Sequence, residues 1–173
     1  MSELLAQRIL RLEDRIEIEH LVSRYGRAID DRDWEVIESL YSDDSIFDTV
    51  SGRMIGKSAI VEYYKGRAAM FGPTYHYPHS HEIYFDDSET VSNSATGIVC
   101  AHAELAIKGE TTWIALRYHD QYQRTESGWK FQERIVKVYY VLPLAELPHR
   151  LADKNRNNWP DTIAKAPDIG SHL

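Results

Sequence analysis

Apolar residues recur at intervals of three and four in the first part of the chain, the period of an α-helix with one face on a core. The first run predicts a helix that ends near Asp30, with apolar positions Ile18, Leu21, Val22, Tyr25, Ala28 and Ile29. A second helix is predicted after Asp33, which can cap it, on Trp34, Ile37, Leu40 and Tyr41. A third is predicted after Gly56 and Ser58 on Ile60, Val61 and Tyr64. Between the last two helices, residues 45–49 predict a short strand.

From Thr74 onward the pattern changes to long strand-like stretches that are divided by polar turns. The predicted turns lie at residues 86–89, 108–110 and 125–128. This order predicts a four-stranded antiparallel meander that follows the helices. Helices first and a meander afterwards indicate the α+β class, in which a curved sheet wraps over the helices.

The last part of the chain loses this periodicity. Residues 144–173 are punctuated by prolines and asparagines, yet they keep Leu144, Leu147, Leu151 and Trp159. Such a segment is either disordered or laid on a neighbouring surface that covers its apolar groups, and we expect the second. The chain is therefore divided into one domain, residues 1–143, and a C-terminal tail, residues 144–173, which can act as an oligomer clasp.

Composition narrows the range of partners and compartments. A chain of 173 residues with 43% hydrophobic content suits one globular domain. The formal net charge of −7 and the absence of a clustered basic face argue against nucleic acid and anionic membrane as partners. The single Cys100 excludes an internal disulfide, residues 1–11 do not resemble a signal peptide, and no apolar run is long enough for a bilayer. We expect a cytoplasmic protein.

Asp30, His76 and Arg134 are the candidate chemical groups. A carboxylate that holds an imidazole in one tautomer makes it a usable base near neutral pH. A nearby guanidinium can stabilise the negative charge that proton removal creates. These groups suffice for an elimination or an isomerisation without a cofactor.

Several short motifs carry a resemblance to a known family. The run from Arg117 to Tyr122 (RYHDQY) and the run from Gly128 to Arg134 (GWKFQER) are similar to the closing hairpin of the SnoaL-like branch of the NTF2-like superfamily. The helix end Arg27-Ala28-Ile29-Asp30 and the following Asp33-Trp34 are similar to its opening. With His76-Tyr77-Pro78, the pattern resembles hexachlorocyclohexane dehydrochlorinase, scytalone dehydratase and bile-acid 7α-dehydratase, over roughly residues 16–144.

The resemblance implies a cone-shaped fold and a set of site residues. The Asp-His dyad of the family falls on Asp30 and His76, its pocket arginine on Arg134, and the tyrosine of the bile-acid enzyme on Tyr25. Scytalone dehydratase has a second histidine, whose matching position here is Ala101. The adjacent His102 and the hairpin residue Tyr118 are therefore candidate pocket residues.

The histidines near His76 raise a question of strand geometry. His79 and His81 share the alternation of Ile83, so a regular strand would turn His76 to the other face. A dyad that includes His76 therefore requires a bulge between His76 and Ile83, or a strand buried on both faces. A metal site on His76, His79, His81 and Glu82 is the alternative interpretation of the same cluster.

Structural roles compete with each assignment. Asp30 lies in an Asp-Asp-Arg-Asp run where a solvated helix-end carboxylate is ordinary. Arg134 can instead pair with Asp120 or Glu133 on the hairpin. Other functions also stay open: a polyketide cyclase, a non-catalytic NTF2-like binding module, or the small subunit of a ring-hydroxylating dioxygenase.

The function that we predict from these observations is a cofactor-independent lyase or isomerase, of the dehydratase kind. His76, oriented by Asp30, would remove a proton from a carbon of a small apolar cyclic substrate, while Arg134 and Tyr25 stabilise the developing oxyanion. No metal is expected. Because an open curved sheet leaves an apolar face to cover, we also predict a homo-oligomer, a trimer by resemblance, with a dimer as the alternative.

Overall fold

A computed structural model describes residues 3–85 and 92–168 of the chain. Within these ranges the chain forms four helices and six strands. The helices are α1 (Glu3–Asp30), α2 (Trp34–Leu40), α3 (Lys57–Met70) and the short α4 (Leu147–Arg150). The strands are β1 (Tyr41–Thr49), β2 (Gly52–Ile55), β3 (Phe71–Phe85), β4 (Ser94–Ile107), β5 (Glu110–Thr125) and β6 (Gly128–Pro143). None of the helices in the described ranges is long and apolar enough to cross a membrane.

The strands of the described residues form one curved, unclosed mixed sheet in the order β2-β1-β6-β5-β4-β3. β3 to β6 are the predicted antiparallel meander. β1 joins the far side of β6 in parallel, and β2 pairs antiparallel with β1. The α+β class is confirmed. The edge strand β2 was not predicted, because four residues (Gly-Arg-Met-Ile) are too few to show a strand period.

Local sequence signals explain most of the boundaries. Asp33 caps α2 as predicted, since its Oδ1 accepts the backbone N–H of Val36 at 3.1 Å. Tyr41, which we assigned to that helix, instead begins β1, because its backbone is already extended. The turn between β4 and β5 has positive φ at Lys108 and Gly109, as a two-residue hairpin requires. The predicted turn at residues 86–89 lies outside the described residues.

The described part of the tail, residues 144–168, lies on the protein's own sheet. β1 pairs with the first half of β6 only, and the tail occupies the position beside the second half. Asn157 forms a bridge with Val141, and Asp168 accepts the backbone N–H of Val138 while donating its own N–H to the Val138 carbonyl. The tail therefore continues the sheet where β1 has ended. Its proposed role as an oligomer clasp stays a prediction.

The core lies between the concave face of the sheet and the helices. Small residues dominate the inner face of β4, where Ala95, Ala101 and Ala103 are buried. At Gly97 an added Cβ would lie 2.9 Å from the Tyr122 ring, so the strand has no room for a side chain there. These small residues leave space inside the sheet for aromatic rings and for a cavity.

A buried ion pair lies at the centre of this core. The Arg134 side chain, fully buried, donates from Nε and Nη2 to the two carboxylate oxygens of Asp120, at 2.8 and 2.7 Å. The guanidinium carbon is 4.0 to 4.2 Å from the ring centroids of Tyr25, Tyr118 and Phe131. Asp120 and Arg134 also face each other in the β5–β6 register. The pair thus joins two strands to the helix that packs on them.

We expect Asp120→Asn to destabilise the protein by about 3 to 5 kcal/mol, because it leaves the Arg134 charge buried without a counterion. Urea unfolding at neutral pH measures this change. Glu62→Gln is the control, since it removes the solvent-exposed pair of Glu62 with Lys65 and should leave stability nearly unchanged. Equal stabilities of the Asp120 variant and the wild type would contradict the central role of the pair.

Candidate active site

Asp30 and His76 form a direct hydrogen-bonded pair. Asp30 Oδ1 lies 2.6 Å from His76 Nδ1, and both side chains are largely buried, with 18% and 16% of their surface exposed. Asp30 Oδ2 accepts the backbone N–H of His76 at 2.8 Å, and Oδ1 also accepts the Thr74 hydroxyl at 3.0 Å. An ionised carboxylate only accepts hydrogen bonds, so Nδ1 carries the proton. His76 Nε2 has no hydrogen-bond partner among the described residues and is left with its lone pair.

A bulge in β3 gives His76 its direction. The pairing of β3 with β4 shifts by one residue between Pro78, opposite Ala101, and His81, opposite Val99. The extra residue puts His76 and His81 on the same inner face, although their spacing in a regular strand would separate them. This is the bulge that the sequence analysis required. His79 lies in the shifted segment and is exposed.

His76 lines a cavity of about 120 Å³ between the sheet and the helices. Tyr25 and Tyr118 line the same cavity. Most of the other lining side chains are apolar, among them Ile29, Phe47, Leu105, Ile114, Leu116, Val136 and Val138. The cavity therefore combines a mainly apolar wall with the His76 imidazole, a few hydroxyl groups and the side chains of Arg32 and Arg67, which suits a compact, mainly apolar ligand.

Tyr25 and Tyr64 of the cavity wall and the buried Tyr41 form a hydrogen-bonded cluster. The Tyr25 and Tyr64 hydroxyls are 2.7 Å apart, and Tyr41 is 3.5 Å from Tyr64. Burial is the main cause that raises the pKa of Tyr25, and the positive charge of Arg134 opposes that rise. These phenols remain protonated at neutral pH and can donate hydrogen bonds. Tyr64 was not identified from the sequence as a cavity residue, because its position in the helical pattern is equally typical of a core residue.

Arg134 does not line the cavity. Its guanidinium lies behind the rings of Tyr25 and Tyr118 and is paired with Asp120, one of the two partners considered in the sequence analysis. We had expected Arg134 to contact a ligand in the cavity directly, but this geometry does not provide that contact. Its charge instead reaches the cavity through the ring of Tyr25.

His102 points away from the cavity, contrary to the pocket position that we had considered for it. Its neighbours Ala101 and Ala103 are buried on the inner face of β4, so alternation turns His102 to the outer face. There His102 Nδ1 lies 2.7 Å from His79 Nε2. The histidines of β3 thus have three separate environments, and no group of three potential metal ligands occurs in the described part of the chain.

His81 belongs to a second buried network. Its Nε2 lies 2.9 Å from the Tyr122 hydroxyl, which donates to Asp120 Oδ2 at 2.8 Å. Asp120 in turn binds Arg134, so the network leads from β3 to the central ion pair. Burial lowers the pKa of His81 from 6.5 to about 4, although Asp120 acts in the opposite direction. His81 is therefore a partly buried residue that is neutral near pH 7.

Comparison with known proteins identifies the family. A SnoaL-like domain matches residues 10–135, and the chain belongs to the SnoaL-like family. This result confirms the resemblance seen in the sequence. No curated protein matches the chain.

Solved structures show the same fold. LinA, a hexachlorocyclohexane dehydrochlorinase, has a TM-score of 0.74 and 24% identity over 80% of this chain and 95% of its own. A scytalone dehydratase-like protein of Novosphingobium aromaticivorans DSM 12444 has a TM-score of 0.70 and 18% identity. The match covers 79% of this chain and 91% of that protein. An NTF2-like protein with a cystatin-like fold from N. aromaticivorans has a TM-score of 0.63 and 26% identity. The match covers 76% of this chain and 86% of that protein. The NTF2-like fold is thus confirmed.

The lowered pKa of His81 predicts a loss of stability in mild acid. Because His81 gains its proton near pH 6.5 in the unfolded chain but only near pH 4 in the folded one, stability falls as the pH drops through this window. After allowance for partial solvent exposure, we expect this histidine to account for about 1 to 2 kcal/mol between pH 7 and pH 5.

Urea unfolding of the wild type and His81→Gln at both pH values tests this expectation. The variant should lose less stability on acidification than the wild type. His20→Gln, which changes an exposed histidine of α1, should lose as much as the wild type. An unchanged pH dependence in His81→Gln would show that His81 is not kept neutral by the fold.

Proposed function

We propose that the protein is a cofactor-independent lyase or isomerase that removes a proton from a carbon of a small, mainly apolar ring compound. The observation that carries the proposal is the Asp30–His76 pair. His76 lines a mainly apolar cavity, and its Nε2 has no hydrogen-bond partner among the described residues. The family and its structural neighbours, which include a dehydrochlorinase and a scytalone dehydratase-like protein, support a reaction of this class.

The base in this proposal is His76 Nε2. Asp30 accepts a hydrogen bond from Nδ1–H, fixes the tautomer and stabilises the imidazolium that forms when Nε2 takes a proton. Thr74 and the His76 backbone N–H hold the carboxylate in place, so Asp30 cannot turn away from the ring. The pair is therefore organised before a substrate binds, which lowers the cost of reaching the reactive geometry.

The electrons of the broken C–H bond form a carbon–carbon double bond or an enolate. In an elimination, a hydroxide or chloride leaves from the neighbouring carbon, and His76 can return its proton to a departing hydroxide as water. In an isomerisation, the proton returns to a different carbon. The phenol of Tyr25 donates a hydrogen bond to the developing oxyanion, and the charge of Arg134 behind its ring strengthens that donor.

Variants of the dyad test the base. We expect Asp30→Asn and His76→Gln each to lower turnover about 10²-fold or more, because the first removes the charge that orients the imidazole and the second removes the base. Suitable substrates are a bicyclic β-hydroxy ketone whose dehydration gives a fluorescent naphthol, and hexachlorocyclohexane with chloride release. Deuterium uptake from D₂O at the activated carbon, followed by NMR, detects proton removal when nothing leaves.

His149→Gln, a histidine in α4 away from the cavity lining, is the matched control and should retain full activity. Circular dichroism shows whether each variant folds. Wild-type rates in both dyad variants would overturn the proposal, as would the absence of turnover and deuterium uptake across the panel.

Tyr25→Phe tests the oxyanion donor. Removal of this hydroxyl should lower kcat about 10²-fold with a ketone substrate, because the enolate oxygen loses a preorganised hydrogen bond. KM should change little if the bond forms mainly in the transition state. Tyr63→Phe changes another tyrosine that lines the cavity and serves as the control. Equal kcat values for the two variants would assign Tyr25 a packing role instead.

Self-association stays a prediction. β3 is an edge strand of the described sheet and exposes Tyr75, Tyr77 and Tyr84, each with about half of its surface in solvent. Exposed aromatic rings at an unpaired edge favour contact with another chain.

A further inference from the structure

A second cavity, of about 350 Å³, adjoins the first. The two cavities share Val50, Arg67, Phe71 and Trp159, so they meet at this set of residues. We call the second cavity the vestibule and the first the inner cavity. Its walls come from the end of α3, the β4–β5 turn and the described part of the tail.

The vestibule contains buried polar groups without partners. Asn157 is only 1% exposed, and neither its side-chain nitrogen nor its oxygen has a hydrogen-bond partner in the described residues. The same holds for the indole nitrogen of Trp159. The backbone of Asn157, in contrast, is paired with Lys165. Buried polar groups in proteins are normally hydrogen-bonded, so Asn157 and Trp159 have unused hydrogen-bonding capacity beside the vestibule.

The vestibule also has a cation that lacks a counterion. The guanidinium of Arg67 is 4.5 Å from the ring centroid of Phe71 and 5.1 Å from that of Trp159. Among the described residues no acidic side chain pairs with Arg67. Lys108 and Lys165 line the same space, but they are paired with Asp161 and Asp168. An arginine that lies close to two rings and has no acidic partner has donors available for an anion.

We propose that the vestibule binds a carboxylate or phosphate group of the substrate while the apolar ring of the same molecule occupies the inner cavity. This inference rests on the proposed function and specifies its substrate class: a small ring compound with an anionic arm. Arg67 supplies the charge, and the Trp159 indole N–H and the Asn157 amide supply the further hydrogen bonds. Trp159, like Arg67, lines both cavities, so it is placed to contact both the ring and the anionic group.

Three ligands with the same ring and chain test the proposal: phenylbutanoate, phenylbutyl phosphate and phenylbutanol. Isothermal titration calorimetry at low salt gives their Kd values with the full-length protein. We expect at least one of the two anions to bind about tenfold tighter than the alcohol. The stronger of the two identifies the anion that the vestibule prefers. Equal Kd values for the alcohol and both anions would overturn the proposal.

Arg67→Met should remove the preference for the anion and leave the affinity for the alcohol nearly unchanged. Lys65→Met removes an exposed cation from the same helix and is the matched control, which should keep the preference. An equal loss in both variants would indicate a general effect of net charge and would contradict a site at Arg67. Asn157→Leu, of similar volume, should lower the affinity for the anion several-fold and tests the site independently of Arg67.

His76→Gln separates this inference from the proposed function. If the vestibule is an anion site, the variant retains the tenfold preference even though it has lost the base. If His76→Gln keeps both the preference for the anion and its full turnover, the anion site is supported and His76 is not the base. Conversely, if His76→Gln loses turnover but the wild type shows no preference for the anion, the anion site is contradicted and the proposed base is not.

Discussion

The buried pair of Arg134 and Asp120 is the interaction on which the arrangement of the site depends. It joins β5 and β6 at facing positions, stacks on Tyr25 of α1, and reaches His81 of β3 through Tyr122. A charge in a dry core is tolerated only when its counterion and hydrogen bonds are in place, so this pair restricts how the helix and strands can pack. The position of Tyr25 at the cavity wall follows from that packing, and the same guanidinium influences the acidity of its phenol.

The bulge in β3 has a different role, because it decides which histidines face inward. Without the extra residue, His76 and His81 could not share a face. With it, His76 meets the carboxylate at the end of α1, and His81 enters the buried network, where burial keeps it neutral. Two imidazoles of one strand thereby acquire separate tasks. His76 is hydrogen-bonded to a carboxylate and lines a cavity, and the partly buried His81 is hydrogen-bonded to Tyr122.

The tail completes the cavity instead of extending away from the domain. It occupies the position beside β6 that β1 leaves open, and so it brings Trp159 to the mouth of the cavity and Asn157 to the vestibule. A segment with few apolar residues can hold this position because backbone hydrogen bonds to β6 fix it. The boundary between inner cavity and vestibule is thus made by a part of the chain that lies beyond the matched SnoaL-like region.

Periodicity in the sequence determined the three main helices, the meander and the α+β class, because helix and strand periods depend on local spacing alone. The resemblance to a family pointed to Asp30, His76 and Tyr25, and these residues do line or adjoin one cavity. Tertiary structure alone decided the rest. The pairing of Arg134 with Asp120, the outward direction of His102 and the place of the tail depend on strand register and on contacts between distant residues. No local pattern encodes such contacts, since a shift of one residue reverses the face on which a side chain lies.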